Sequence, residues 1–93
     1  MIFEWDEIKE QENISKHGVS FDTACKVFLD SRRIILIDDK HSTEEARYFA
    51  IGVVDKRILT VRFTIREDSL RIFGAGYWRK GKSYYEKKYN VGR

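Results

Sequence analysis

Apolar residues recur along this chain at two spacings, helical in its first third and alternating afterwards. A first helix is predicted from Asp6, a favourable N-cap, to about His17, where Gly18 supplies a left-handed stop. Ser20 is placed to cap a second helix. The apolar stripe of that second helix, at positions i, i+3, i+4 and i+7, consists of Phe21, Ala24, Cys25 and Phe28.

The middle of the chain is predicted to form strands. Residues 33–38 are rich in isoleucine and give a short strand, and Ser42-Thr43-Glu44-Glu45 matches a capping box, which predicts a helical turn. Three strands follow from Arg47, joined by the two-residue turns Asp55-Lys56 and Glu67-Asp68, which impose antiparallel pairing. One face of the middle strand is a predicted continuous core surface made of Leu59, Val61, Phe63 and Ile65.

A final helix is predicted from Lys80 or Lys82 to Tyr89, with Gly92 beyond its end. Helices thus come first, strands follow and one helix closes the chain, an order typical of the α+β class. We expect one domain over residues 1–93, with two N-terminal helices, an antiparallel sheet of about four strands and a C-terminal helix.

The two turns also predict which side chains share a face of the sheet. With two residues in each turn, Arg47 lies opposite Thr64, and Thr64 lies opposite Arg71. Because strand side chains alternate, Arg62 and Arg66 lie on that face too. Four arginines around one threonine suit an anion such as a phosphate. The alternative is that nearby glutamates and aspartates neutralise them in ordinary surface pairs.

Charge is distributed unevenly, although the net charge of the 93 residues is only +3. Residues 79–93 hold six basic residues and one glutamate. A basic end favours an anionic partner, nucleic acid or an acidic protein, and a solvated helix face is the alternative. The longest apolar run, Ile34 to Ile37, is too short to span a membrane. The single cysteine, Cys25, suits a reducing cytoplasm and is interpreted as a core residue rather than a nucleophile.

The chain has two histidines, His17 and His41, which lead to different predictions. RNA is cut without a metal when its own 2′-hydroxyl attacks the phosphate, provided that the protein supplies a base, an acid and charge stabilisation. His41 suits the proton transfers, since it lies in a polar loop beside Glu44 and Glu45. His17 precedes a helix-ending glycine and is more simply a partner of the helix dipole. The spacing of these residues predicts no metal site, and we expect no cofactor.

The chain resembles the BrnT family of type II toxins in two segments, Lys16-His17-Gly18-Val19-Ser20-Phe21 and the later pattern His41-Ser42, Glu45, Arg47, Ile51-Gly52. Further matching positions extend over nearly the whole chain: Phe3-Glu4-Trp5-Asp6, Asn13, Val27-Phe28, Arg66 and Arg71-Ile72. The resemblance implies a RelE-like ribonuclease fold and cleavage of mRNA that arrests translation. It also implies a BrnA-type ribbon-helix-helix antitoxin, whose complex with the toxin binds operator DNA.

The predicted site of such a ribonuclease combines the arginine face with the loop of His41. Arg47, Arg62, Arg66 and Arg79 are placed at the phosphate, with His41 and Glu45 near the proton transfers. Further RNA contacts are predicted for Arg71, Lys80, Lys82 and Trp78, although Trp78 could equally anchor the last helix to the sheet. The alternatives are a non-catalytic module that binds RNA or antitoxin, and a structural domain with incidental basic patches.

One position departs from the family pattern. The last strand of the family often reads Arg-Ile-Ile-Ser-Ala-Arg, whereas this chain reads Arg71-Ile72-Phe73-Gly74-Ala75-Gly76, with Gly76 in place of the terminal arginine. Arg79 and Lys80 are the candidates to reach the same place from a few residues further on. Without either of them, weak or absent activity is expected.

Overall fold

Three α-helices and a five-stranded sheet make up residues 2–90, the part of the chain described by the computed structural model. In chain order the elements are β1 (Ile2–Trp5), α1 (Glu7–His17), α2 (Phe21–Cys25), β2 (Ile34–Ile37), β3 (Arg47–Val54), β4 (Arg57–Arg66), β5 (Ser69–Gly76) and α3 (Arg79–Tyr89). The predicted α+β class is confirmed. Gly92, expected beyond the last helix, lies outside the described residues. No helix in the described range is long and apolar enough to cross a membrane.

Both N-terminal helices begin at the predicted caps, and the first of them ends at the predicted glycine. The Asp6 carboxylate accepts hydrogen bonds from two backbone N–H groups in the first turn of α1. Gly18 ends that helix in the left-handed conformation, with φ of 70°. The hydroxyl of Ser20 accepts a hydrogen bond from the backbone N–H of Thr23 and caps α2. The predicted second helix continues beyond α2 as a 3₁₀ turn, Lys26–Leu29.

The sheet has the strand order β1-β5-β4-β3-β2 and is mixed, not wholly antiparallel as predicted. β1 was missing from the predicted four strands. It pairs in parallel with β5, with Phe3 opposite Leu70 and Trp5 opposite Ile72. Four residues give too short an alternation to indicate a strand, and the pairing partner lies near the other end of the chain.

The predicted hairpin turns and their registers are confirmed. Asp55 and Lys56 have φ values of 50° and 69°, and a two-residue type I′ turn requires a positive φ at both of its central positions. Arg47 lies opposite Thr64, and Thr64 lies opposite Arg71. The three strands therefore bring the predicted arginines to one face of the sheet.

The opposite face packs against α1 and α2 and forms the core. Leu59, Val61 and Phe63 of β4 are buried there in one cluster with Phe21 of α2. Ile65 was predicted to continue this surface but is 50% exposed. That prediction was wrong because Ile65 lies next to the β4–β5 turn, at the rim of the sheet, where the buried cluster ends.

The face that carries the arginines is divided between α3 and a polar half. Tyr85 of α3 is only 4% exposed and packs with Ile34 and Ile51 of the sheet. Gly81 allows the helix to approach closely, since a Cβ at this position would lie 2.0 Å from Oγ1 of Thr60. The predicted arginine cluster occupies the half of this face that α3 leaves open.

Asp30 connects α3 to the chain before β2. Its carboxylate accepts hydrogen bonds of 2.8 Å from the Tyr85 hydroxyl and from the backbone N–H groups of Val53 and Arg32. Burial alone would raise the pKa of Asp30, but these hydrogen bonds outweigh it and lower that pKa below its usual value. Burial, followed by the hydrogen bond to Asp30, raises the pKa of Tyr85 to about 12.

Asn13 of α1 covers the edge of β5 that extends beyond β1. Its side-chain amide donates to the carbonyl of Ala75 at 2.9 Å, and its side-chain oxygen accepts from the Ala75 N–H at 3.1 Å. The same amide nitrogen donates to the carbonyl of Val19 at 2.9 Å. A side chain thus takes the place of a neighbouring strand and holds α1 beside the last residues of β5.

Candidate active site

A pocket of about 240 Å³ lies where the loop after β2 meets the polar half of the sheet. Its lining residues are His41, Thr43, Glu44, Glu45, Arg47 and Arg66. Four residues predicted to take part in catalysis therefore lie together, although they come from a loop and two different strands. The polar lining suits a charged ligand.

His41 is held by a buried carboxylate that was absent from the predicted site. Nδ1 of His41 lies 2.8 Å from Oδ2 of Asp38, whose side chain is 6% exposed. A hydrogen bond from Nδ1 to Asp38 leaves Nε2 free, on a side chain that is 47% exposed. The 3₁₀ turn Asp39–His41 brings the two residues together. The signal in the sequence was the Asp-x-x-His spacing.

Ser42 fixes the same loop, but not through the predicted capping box. Its hydroxyl donates to the carbonyl of Asp38 at 2.7 Å and accepts from the backbone N–H of Arg47 at 2.8 Å. Residues 43–45 form a bend instead of a helical turn. The capping-box prediction was wrong because Ser42 bonds across the loop to the start of β3 and not to the first turn of a helix.

Glu45 forms a two-bond ion pair with Arg66. Nε and Nη2 of Arg66 donate to the two carboxylate oxygens at 3.1 and 3.0 Å. Nη2 of Arg47 lies 3.8 Å from Oε2 of Glu45, which is within ion-pair distance but too long for a hydrogen bond. The hydrogen bonds from Arg66 hold the pKa of Glu45 below its usual value, so Glu45 is ionised at neutral pH.

Arg47 is also positioned by an aromatic ring. Its guanidinium lies over the ring of Phe73, 4.2 Å from the ring centroid. Phe73 is the extra residue of a β-bulge in β5, opposite the step from Arg62 to Phe63 in β4. Nε of Arg47 is buried and has no hydrogen-bond partner among the described residues. Stacking on Phe73 therefore contributes to the position of this guanidinium.

The four predicted arginines differ in their partners. Arg66 and Arg47 face Glu45, and Nη1 of Arg71 lies 3.7 Å from Oε2 of Glu4 in β1. Arg62 has no carboxylate within ion-pair distance in the described range. The alternative interpretation, in which surface carboxylates pair with the arginines, thus holds for three of the four arginines. Glu4 was missed as a partner because β1 was missed.

Trp78 occupies the space beside Gly76, the position that departs from the family pattern. A Cβ at Gly76 would lie 2.6 Å from the indole, so no side chain fits there while Trp78 keeps its place. His17 packs edge-on against the same indole, with ring centroids 5.3 Å apart. His17 is thus part of the contact between α1 and the segment before α3.

Arg79, predicted at the phosphate, and the predicted RNA contacts Lys80, Lys82 and Trp78 lie around the start of α3. Lys80 lines a groove of about 440 Å³ together with Phe49 and Trp78. Arg79 and Lys82 line a separate depression beside Tyr77. The structure therefore brings none of these three basic residues into the lining of the His41 pocket.

Cys25 is a free, partly buried thiol. Burial, and then the nearby Asp22 carboxylate, raise the pKa of the Cys25 thiol to about 11, so the thiol is protonated at neutral pH. This favours the structural interpretation of Cys25. Within residues 2–90, no three His, Cys, Asp or Glu side chains come together in a group suited to hold a metal ion.

A family model described as the ribonuclease toxin BrnT of type II toxin–antitoxin systems matches residues 5–81. The matched range contains every residue that lines the His41 pocket and ends in the first turn of α3. Comparison with curated proteins gives no match.

Proposed function

We propose that this chain, which belongs to the BrnT family of ribonuclease toxins of type II toxin–antitoxin systems, cleaves mRNA in the pocket of His41, Glu45, Arg47 and Arg66. Cleavage by attack of the RNA 2′-hydroxyl arrests translation in the cytoplasm. The observation that carries the proposal is one pocket that joins a carboxylate-held histidine to two arginines. The resemblance in sequence extends the proposal to a RelE-like fold.

His41 is the proposed general base. Because Asp38 holds Nδ1, Nε2 presents its lone pair to the pocket and takes the proton of the 2′-hydroxyl. The 2′-oxygen then bonds to phosphorus while the bond to the 5′-oxygen breaks, which leaves a 2′,3′-cyclic phosphate. Asp38 stabilises the resulting imidazolium. A water molecule supplies the proton that the departing 5′-oxygen needs, since the pocket is open to solvent.

Arg66 and Arg47 are the proposed stabilisers of the phosphate. A guanidinium presents paired N–H donors to two phosphate oxygens, where negative charge develops during attack. Glu45 holds both arginines in place before RNA binds. Because its pKa is lowered, Glu45 is unsuited to donate a proton, and we assign it to positioning within the catalytic group. RNA contacts outside the pocket are proposed for Arg62, Arg71, Trp78, Arg79, Lys80 and Lys82.

A second candidate function is a weakly active or non-catalytic module that binds RNA or antitoxin. Gly76 favours it, because the resemblance places an arginine at this position and Trp78 fills the space here. Neither Arg79 nor Lys80 lines the His41 pocket in its place. The two candidates differ in one measurable property, the cleavage of bound RNA.

The proposed partner is a ribbon-helix-helix antitoxin of the BrnA type, whose complex with this chain binds operator DNA. Acidic or apolar segments laid over the arginine face would block RNA by occupying the same charges. The complex should melt well above the free chain, since a partner that binds only the folded form stabilises it by RT ln(1 + [L]/Kd), about 4 kcal/mol at a thousandfold excess over Kd. Co-purification with the product of the neighbouring gene and thermal melting test this.

Cleavage is tested with purified protein and a labelled single-stranded RNA, alongside the same RNA carrying 2′-O-methyl groups. We expect the unmodified RNA alone to be cut, with cyclic phosphate at the new 3′ ends, and His41→Ala to slow cutting by about 10²–10⁴-fold. Lys26→Ala, on the core side of the sheet, is the matched control. Cutting of the 2′-O-methyl RNA would refute the mechanism. Tight binding without cutting would favour the second candidate.

A further inference from the structure

A second depression is lined by Phe73, the residue on which Arg47 stacks. It has a volume of about 230 Å³ and lies between α1 and β4. Its lining residues are Lys9, Glu12, Asn13, Lys16, His17, Arg62, Phe73, Gly74 and Trp78. Lys9, Glu12, Asn13 and Lys16 belong to α1. They are spaced three and four residues apart and therefore lie on one face of that helix. The bonds from Asn13 to Ala75 hold this face against the sheet.

The cations of this depression are free of carboxylate partners, unlike those of the His41 pocket. Lys9, Lys16 and Arg62 have no ion pair among residues 2–90. Glu12, the carboxylate in the lining, is within ion-pair distance of none of them. Glu12 offsets only part of the charge of the three cations that line this depression, and an anion placed between them lowers the repulsion that remains.

Aromatic rings accompany these cations. The Trp78 indole is partly exposed and packs against the His17 ring, with ring centroids 5.3 Å apart and planes nearly perpendicular. Bases of single-stranded RNA stack on such rings, while the phosphates between them need cations. An acidic peptide would use the cations but not a flat ring face, so the combination favours RNA over a protein segment.

The contact between Phe73 and Arg47 links the depression to the proposed catalytic pocket. Phe73 lines the depression, and the Arg47 guanidinium stacks on its ring. Arg47 in turn lines the His41 pocket. Arg62 and Arg66 lie four residues apart on one strand, a span of about 13 Å at roughly 3.3 Å per residue. A strand of RNA in the pocket can therefore continue past Phe73 into the depression.

We infer that the depression formed by Lys16, Arg62 and Trp78 is a second subsite, which binds a phosphate and a base of the same RNA strand next to the cleavage position. The inference rests on the proposed function for its ligand. Arg62 thereby belongs to this subsite and not to the scissile phosphate. His17 is a positioning residue that orients the Trp78 indole.

The test uses the intact chain and a 2′-O-methyl uridine oligomer, which binds without supplying the attacking hydroxyl. A Trp5→Phe background leaves Trp78 as the only tryptophan, so its fluorescence reports on the subsite. We expect the oligomer to quench Trp78. Lys16→Gln and Arg62→Gln should each weaken binding about tenfold. Each should also reduce the salt slope by about 0.7, the loss of one phosphate contact. Lys26→Gln, on the core side of the sheet, should change neither quantity.

The outcomes separate this inference from the proposed function. Failure of the parent chain to bind the oligomer overturns both. If the parent binds but Lys16→Gln and Arg62→Gln retain its affinity and salt slope, the subsite is refuted while His41-dependent cleavage can still stand. If the two variants retain RNA binding but lose the antitoxin complex, the depression is a protein contact and the inference is wrong. Lys16→Gln could lower the affinity for the oligomer without changing the quenching of Trp78. That result still supports the subsite, since stacking on Trp78 and the charge of Lys16 are separate contacts.

Discussion

The two faces of β4 have very different surroundings, although they alternate residue by residue along one strand. On the core face, Leu59, Val61 and Phe63 are at most 3% exposed and belong to the hydrophobic core cluster. The other face alternates threonine with arginine. Thr64 is buried and donates a hydrogen bond to the carbonyl of Ala46, while the arginines beside it reach solvent. One strand thus supplies both packing and charge, and mutations on its two faces should affect different properties.

The largest loss of stability is expected from the core side. Phe21→Ala removes a fully buried ring that packs edge-on against Trp5, and should lower the free energy of unfolding by about 3–5 kcal/mol. Denaturant unfolding measures this. Leu29→Ala, at a side chain that is 83% exposed, is the control and should change stability by no more than about 0.5 kcal/mol. Equal losses in both variants would contradict the assignment of the core.

A large loss of activity with little change in stability is expected from the arginine face. Arg66→Ala should slow RNA cleavage by about 10²–10³-fold, because it removes a donor to the phosphate in the transition state. Arg57→Ala, at the other end of β4, is the matched control, and its cleavage rate should stay at the parent level. A soluble Arg66→Ala protein with the parent rate would remove Arg66 from the site.

A smaller effect is expected where α3 meets the arginine-bearing face. Gly81→Ala places a Cβ 2.0 Å from Oγ1 of Thr60, so α3 must shift, at a cost of about 1–3 kcal/mol. Thr60→Ala removes that oxygen, which is buried without a hydrogen-bond partner among residues 2–90. The double variant should therefore recover part of the stability in a thermal melt. Additive losses would show that the close approach is not the cause.

The smallest effect is expected in the pH dependence of stability. The raised pKa of Tyr85 contributes stability below its usual value of about 10, and this is lost as pH rises through about 10 to 12. The lowered pKa of Asp30 contributes stability above its usual value, and this is lost as pH falls through the folded value. Tyr85→Phe should flatten the alkaline limb of a melting-temperature profile and leave most of the acid limb. An unchanged alkaline limb would contradict the Tyr85–Asp30 contact.

Local signals in the sequence predicted much of the fold. The caps at Asp6, Gly18 and Ser20 determined the N-terminal helices because each acts within four residues of its own position. The two-residue turns determined the registers of β3, β4 and β5, and through them the row of arginines. These predictions succeeded since every interaction that they required is short in sequence.

Interactions between distant segments were not predictable in the same way. β1 has no signal of its own, and its pairing with β5 depends on packing between the two ends of the chain. Because Glu4 lies in β1, its contact with Arg71 was not predicted either. Asp38 was missed because its role depends on the 3₁₀ turn that carries His41. Ser42 was misinterpreted because its hydroxyl has two possible sets of partners, and tertiary contacts with β3 select the one that the capping pattern does not indicate.

The parallel pairing of β1 with β5 has a consequence for how the protein is made. β1 is synthesised before β5, and two α-helices and three strands lie between these two partners in the chain. Closing so long a loop is entropically costly, and a nascent chain cannot complete the sheet before β5 has emerged. Arg71 also belongs to β5, so neither the finished arginine face nor its Glu4 contact exists on a partly made chain. We expect the proposed RNA cleavage to be absent from a nascent chain until β5 has emerged.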